Sequence, residues 1–110
     1  MKIVRKSNVV FADDDLENDF SKINDADKLK EFIKRAIKDL EINAFCGIQI
    51  PKRLIPKEYI LNYDVKNLWK YDLPDGWRLV YSIMPQGKVE IVSVILEWFD
   101  HKNYEKRFNY

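Results

Sequence analysis

The chain has 110 residues, of which 46% are hydrophobic, 14% aromatic and 34% charged, with 3 Gly and 4 Pro. That length and mixture predict one globular domain over residues 1–110 and exclude a disordered or low-complexity chain. A net charge of +1 excludes the overall basic excess of many nucleic-acid binders, so a nucleic-acid contact would have to rest on a local patch.

Residues 3–11 mix Ile, Val and Phe with Lys, Arg and Asn, which predicts a short strand. Asp13, Asp14 and Asp15 then put negative charge where a helix N-terminus favours it. Leu16, Phe20 and Ile23 follow at i, i+4 and i+7 and predict a short helix. Asn24 and Asp25 end it and are expected to cap the next. In the second helix Leu29, Phe32, Ile33, Ala36, Ile37 and Leu40 form one stripe, with Lys30, Glu31, Lys34, Lys38 and Asp39 on the other side. Asn43 and Gly47 are its expected terminators, and the short link predicts an antiparallel helical hairpin. Cys46 is the one cysteine, which excludes an internal disulfide, and it is expected as a buried structural thiol.

Pro51 and Pro56 predict an extended, turning connector, and residues 59–63 a helical turn. The period then changes to two. Trp69, Tyr71 and Leu73 alternate with Lys70 and Asp72, Pro74-Asp75-Gly76 is a turn, and Trp77, Leu79, Tyr81 and Ile83 alternate with Arg78, Val80 and Ser82. After a turn at Pro85-Gln86-Gly87-Lys88, residues 89–99 are apolar on both faces apart from Glu90, Ser93 and Glu97, as in an inner strand. The expected fold is therefore α+β: two N-terminal helices packed on one face of an antiparallel sheet, made of a short N-terminal strand and a C-terminal three-strand meander. The other face is expected to be open, with a polar, cationic and aromatic tail, residues 101–110, beside it. No run approaches the roughly 20 apolar residues of a membrane span. The first residues lack the apolar stretch of a signal peptide, so a cytoplasmic protein away from membranes is expected.

The chain has no Gly-rich phosphate loop, no G-x-S-x-G and no Cys/His cluster, and with one His and one Cys no zinc site is expected. Arg78 falls opposite to Trp77, Leu79 and Tyr81. It either faces the open side as a functional cation or pairs with Asp72 or Glu90 across the sheet. His101, Lys102, Tyr104, Lys106 and Arg107 lie together beside Asp100. These are the residue types of metal-free RNA cleavage: a proton carrier, a ring to stack on a base, and cations for phosphate. The alternative is a solvated charged tail with Tyr104 and Phe108 packed on the core.

Gly76-Trp77-Arg78-Leu79-Val80-Tyr81-Ser82-Ile83 resembles the G-[YW]-R-[LV]-[VI]-Y strand of the RelE/ParE toxin superfamily. The element order is similar too, and residues 95–108 look like the last strand and tail of archaeal members. The resemblance implies the toxin of a type II toxin–antitoxin system, neutralised by a cognate antitoxin in a hetero-oligomer. RelE-type members are ribosome-dependent mRNA endonucleases, so the implied activity is metal-free and cofactor-free cleavage of mRNA at the ribosome. Arg78 matches the strand arginine used at the scissile phosphate. His101 and Tyr104 are similar to the C-terminal His or Tyr of YoeB- and HigB-like toxins. His101 would be general acid or base and Tyr104 would stack on or orient a nucleotide, while Lys70, Lys102, Lys106 and Arg107 would hold RNA phosphates. Lys70 resembles the first lysine of a K-x-K pattern whose second lysine is here Asp72. The resemblance leaves two alternatives: a ParE-like, non-catalytic topoisomerase inhibitor, or a degenerate member that only binds its antitoxin.

Overall fold

Asn8–Phe11 forms strand β1, and the aspartate run after it starts the first helix. The structure, a computed structural model, describes residues 4–108; residues 1–3 and 109–110, the outer ends of the expected first strand and tail, lie outside them. Asp13 is the N-cap of α1 (Asp14–Lys22), accepting the Leu16 N–H at 2.8 Å. Asp14, Asp15 and Glu17 occupy its first turn, beside the positive end of the helix dipole.

The expected cap of the second helix is displaced by a few residues. Asp27 caps α2 (Lys28–Ile42) by accepting the Leu29 N–H at 2.9 Å, while Asn24 folds the linker by accepting the Ala26 N–H at 2.8 Å. Asp25 serves Lys30, which is only 8% exposed. The Lys30 ammonium donates to the Ser21 carbonyl (3.2 Å), the Ile23 carbonyl (3.0 Å) and Asp25 Oδ1 (2.8 Å). Those three acceptors replace the water that a buried ammonium loses.

Residues 48–66 carry more structure than a connector. Ile48–Ile50 is a strand, β2; Lys52–Leu54 is a single 3-10 turn; Lys57–Tyr63 is a helix, α3, ended by Asp64 in the left-handed conformation (φ 51°). Pro56 precedes α3, where its missing N–H costs the helix nothing. The meander follows as β3 (Leu68–Asp72), β4 (Arg78–Gln86) and β5 (Glu90–Phe99), and His101–Phe108 is helix α4.

The strands form one five-stranded sheet in the order β1-β5-β4-β3-β2. It is mixed, where an antiparallel sheet is expected from the sequence. β1 runs parallel to β5, Asn8 opposite Val92 and Phe11 opposite Ile95, while the other three pairings are antiparallel. The helical excursion through α1 and α2 separates β1 from the meander and so removes the hairpin constraint that would force antiparallel pairing.

Both faces of the sheet are covered. On the first, Ile33, Ala36 and Leu40 of α2 pack on Leu73, Leu79, Tyr81 and Ile95, with Leu16, Phe20, Trp77 and Trp98 at the margin. This is the helix layer expected from the alternation. The second face, expected open, holds another core: Ile50, Tyr59, Leu68, Val80, Leu96, Phe99, Tyr104 and Phe108. The reason is in the strands themselves. Val80 and Ser82 alternate with Leu79 and Tyr81 yet are equally buried, so residues 79–82 of β4 have no solvent face, and α4 helps to cover the second side.

A bulge in β5 completes this face. Val80 lies opposite Glu97 and Tyr81 opposite Ile95, so Leu96 is the extra residue. Leu96 and Glu97 consequently point the same way, toward α4.

Cys46 is exposed, contrary to expectation, because Ala44 takes the buried position of the 3-10 turn that contains both. Partial desolvation first, and Asp39 second, raise the pKa of its thiol and so disfavour the thiolate. Gly47 is where the turn meets the sheet. A Cβ there would lie 2.6 Å from the Lys70 carbonyl oxygen and 2.6 Å from the Tyr81 hydroxyl. That buried hydroxyl donates to the Ala44 carbonyl at 2.7 Å and accepts the Gly47 N–H at 3.2 Å.

Gly47→Ala is expected to lower stability by about 1–3 kcal/mol through overpacking against backbone. Tyr81→Phe should cost about 1–3 kcal/mol by stranding the two backbone groups. Urea denaturation measures both. Lys30 also sets a pH dependence. Its hydrogen bond and charge hold the Asp25 carboxyl below the ordinary 3.8, so the pair's stabilisation is present above that pH and is lost as pH falls through the lowered value. Asp25→Asn should flatten the acid limb of a melting-temperature profile.

Candidate functional site

The strand register assembles the first cluster. Lys70 lies opposite Val80 and Asp72 opposite Arg78, which puts Lys70, Asp72 and Arg78 on the second face. Arg78 Nε is 3.0 Å from Asp72 Oδ1, and Lys70 Nζ is 3.4 Å from the same oxygen. The Nε contact is an ion pair without the alignment of a hydrogen bond. A second guanidinium nitrogen, Nη1, donates to the Trp77 carbonyl at 3.1 Å. Both cations sit over one ring, with Lys70 Nζ and Arg78 Cζ each 5.8 Å from the centroid of Tyr104. A π face attracts cations and fixes where they stand.

Helix α4 supplies that ring. Asp100 starts the helix, its Oδ1 accepting the Asn103 N–H and its carbonyl the Tyr104 N–H, both at 2.9 Å. Tyr104 and Phe108, one turn apart, face inward with ring centroids 4.5 Å from each other. His101, Lys102 and Lys106 are exposed. His101 Nε2 pairs with Glu105 Oε1 one turn on. A Cβ on Gly76 would come 3.4 Å from the His101 Cβ, so the β3–β4 turn lies against the start of α4. Asp75 (φ 60°) and Gly76 (φ 79°) both take left-handed conformations to make that turn.

A second cluster forms around Arg107. Its Nη2 donates to Glu97 Oε2 at 3.1 Å, and Nη1 is 4.0 Å from Glu58 Oε1. Its guanidinium carbon lies 5.8 Å from the Tyr59 ring centre and 5.9 Å from that of Phe99. Burial first, then the charge of Glu97, push the pKa of the Tyr59 hydroxyl far above its ordinary value and keep it neutral.

The structure thus gathers Lys70, Arg78 and Tyr104 into one cluster, with His101 beginning the helix that carries the ring. Tyr104, expected to stack on a nucleotide, is 3% exposed and serves as the platform beneath the two cations. Arg107, expected to hold phosphate, is tied to Glu97 and Glu58. Lys106 lies apart from the cluster, in a groove of about 480 Å³ that it shares with Trp77, Trp98 and Asn103. Lys102 is exposed on the same helix.

Two acidic partners, Glu105 and Glu97, escape the sequence reading, and a third, Asp72, is found by it only in part. Glu105 was legible from its i+4 spacing to His101. Asp72 departs from the lysine pattern and is, by sequence, one possible partner of Arg78, but nothing in the sequence makes it a bridge to Lys70. Glu97 was not legible, because its direction depends on the bulge. Among the described residues no group of three or more His, Cys, Asp or Glu side chains could hold a metal ion, and no helix is long and apolar enough to cross a membrane. No protein-family model, curated protein or solved structure matches the chain.

Arg107→Ala is expected to lower stability by about 1 kcal/mol, from a partly exposed ion pair and lost packing on two rings. Lys102→Ala and Lys106→Ala should stay within about 0.5 kcal/mol of the parent, as exposed substitutions do. Urea denaturation of the three variants separates a structural cation from two solvent-facing ones.

Proposed function

We propose that this chain is the toxin of a type II toxin–antitoxin system, a RelE-like cytoplasmic endonuclease that cuts mRNA in the ribosomal A site. One observation carries the reading: Lys70 and Arg78 stand side by side over the Tyr104 ring, at the end of the sheet where His101 begins α4. The resemblance of residues 76–83 to the toxin strand motif supports it. So does an element order of strand, two helices and meander.

In the proposed reaction a base removes the proton of the ribose 2′-hydroxyl, and the 2′-oxygen attacks the adjacent phosphorus. The phosphorane gains negative charge, which Arg78 and Lys70 stabilise. An acid protonates the departing 5′-oxygen, leaving a 2′,3′-cyclic phosphate and a 5′-hydroxyl. His101 is the general acid or base, held by Glu105. Tyr104 fixes the two cations from below. Lys102 and Lys106 bind phosphates away from the cut. A cognate antitoxin that lays an amphipathic helix along α4 would cover these residues.

A second reading has its own support. Asp72 partly neutralises Lys70 and Arg78, and Glu105 occupies His101, as befits a ParE-like topoisomerase inhibitor with no reaction to perform. Mapping mRNA 5′ ends after induction separates the two: new ends within codons mark cleavage, whereas DNA damage with intact transcripts marks the inhibitor. Under the endonuclease reading, Arg78→Ala is expected to lose growth inhibition and to cut roughly 100-fold more slowly, the usual loss when one transition-state contact is removed. It should keep its circular dichroism spectrum. Undiminished toxicity in that variant would sink the assignment.

A further inference from the structure

The two cations of the proposed phosphate site are not vacant. One oxygen, Asp72 Oδ1, lies 3.4 Å from Lys70 Nζ and 3.0 Å from Arg78 Nε, where an anionic ligand oxygen would bind. Of the three side chains the carboxylate is the outermost, 47% exposed against 23% for Lys70 and 20% for Arg78. Asp72 ends β3 and precedes the β3–β4 turn, so its side chain has water on one side. Lys70 and Arg78 cannot retreat in the same way, because the Tyr104 ring and the Trp77 carbonyl hold them. The carboxylate is the mobile partner and the cations are the fixed ones.

We propose that Asp72 is a specificity gate of this site, refusing isolated phosphate and yielding to a strand that carries several phosphates. The inference rests on the reading of Lys70 and Arg78 as the phosphate site. A lone phosphate gains two cations but must unpair Asp72 and then lie beside it, like charge against like, so the exchange is close to neutral. A single strand brings further phosphates. Lys102 and Lys106 are exposed on α4, form no ion pair among the described residues, and attract those phosphates without displacing anything. Contact at α4 holds the strand while the Asp72 carboxylate turns to solvent. The site thereby discriminates by length of polyanion rather than by phosphate itself, as a nuclease working amid abundant free nucleotides requires.

The test compares the parent protein with Asp72→Asn, and with Asp72→Ala as a second variant of different shape. Inorganic phosphate is titrated while NMR follows the Arg78 Nε–H resonance. Binding of a single-stranded 2′-deoxy oligonucleotide, which cannot be cut by 2′-oxygen attack, is followed by fluorescence anisotropy. The parent should show no response to millimolar phosphate, and both variants should respond. Each variant should bind the oligonucleotide about 3–10-fold tighter, the scale of two partly exposed ion pairs. Adding Arg78→Ala to Asp72→Asn should abolish the gain. Equal or weaker binding by folded variants, or an equal phosphate response in the parent, overturns the gate. Variants that gain phosphate binding while the parent cuts no mRNA keep the gate and remove the nuclease reading. A parent that cuts mRNA with variants that gain nothing does the reverse.

Discussion

The packing of Tyr104 and Phe108 on Val80, Leu96 and Phe99 is the contact on which the rest of the molecule depends. A strand such as β4, buried on both sides, needs a layer on each face. The N-terminal helices provide one layer. Without α4 the other side would expose a row of large apolar side chains. The helix that meets this demand also brings an aromatic ring under Lys70 and Arg78 and sets His101 beside the β3–β4 turn. The candidate site is thus a by-product of closing the second core: the residues that complete the hydrophobic layer also organise its charged margin.

That margin is organised in matched pairs. Asp72 answers Lys70 and Arg78, Glu105 answers His101, and Glu97 with Glu58 answers Arg107. This explains how a chain of net charge +1 can carry a basic cluster without a basic surface. The pairs are not equivalent. Arg107 lies between two rings with a carboxylate aimed at it by a bulge, an arrangement that fixes α4 to β5. Asp72 and Glu105 are each more than two-fifths exposed, and water can replace the partners they hold.

Those parts of the fold whose signals are local are legible in the sequence. The helical stripe from Leu29 to Leu40, the aspartates before Leu16, and the Pro-Asp-Gly turn each act within a few residues, and each stands where the spacing puts it. What is not legible depends on partners distant in the chain. β1 pairs parallel with β5, a pairing that residues 3–11 do not encode. β2 is three residues long and is a strand only because β3 lies beside it. The covering of the second face was written in Val80 and Ser82, whose burial an alternating pattern disguises, since Ser82 satisfies its hydroxyl on the Asn67 carbonyl at 2.8 Å. At the candidate site, Arg78, Lys70 and His101 could be picked out by residue type. The burial of Tyr104 with Phe108 is one of the two readings that the tail allows, and it is the one the structure has; the direction of Glu97 could not be picked out, for it follows from a bulge.

The strand order has a consequence for how the protein comes into being. Among the strands of the described residues β1 is synthesised first, yet it pairs with β5, the last of them to be made. The pairing of Asn8 with Val92 spans most of the chain, so a growing polypeptide cannot close its sheet until β5 has emerged. The same delay applies to the charged cluster. Lys70 and Arg78 are translated well before Tyr104, and until that ring arrives nothing beneath them fixes their spacing. A nascent chain that has not yet reached α4 therefore carries the cations of the site but not their arrangement, which is completed only once Tyr104 has been added.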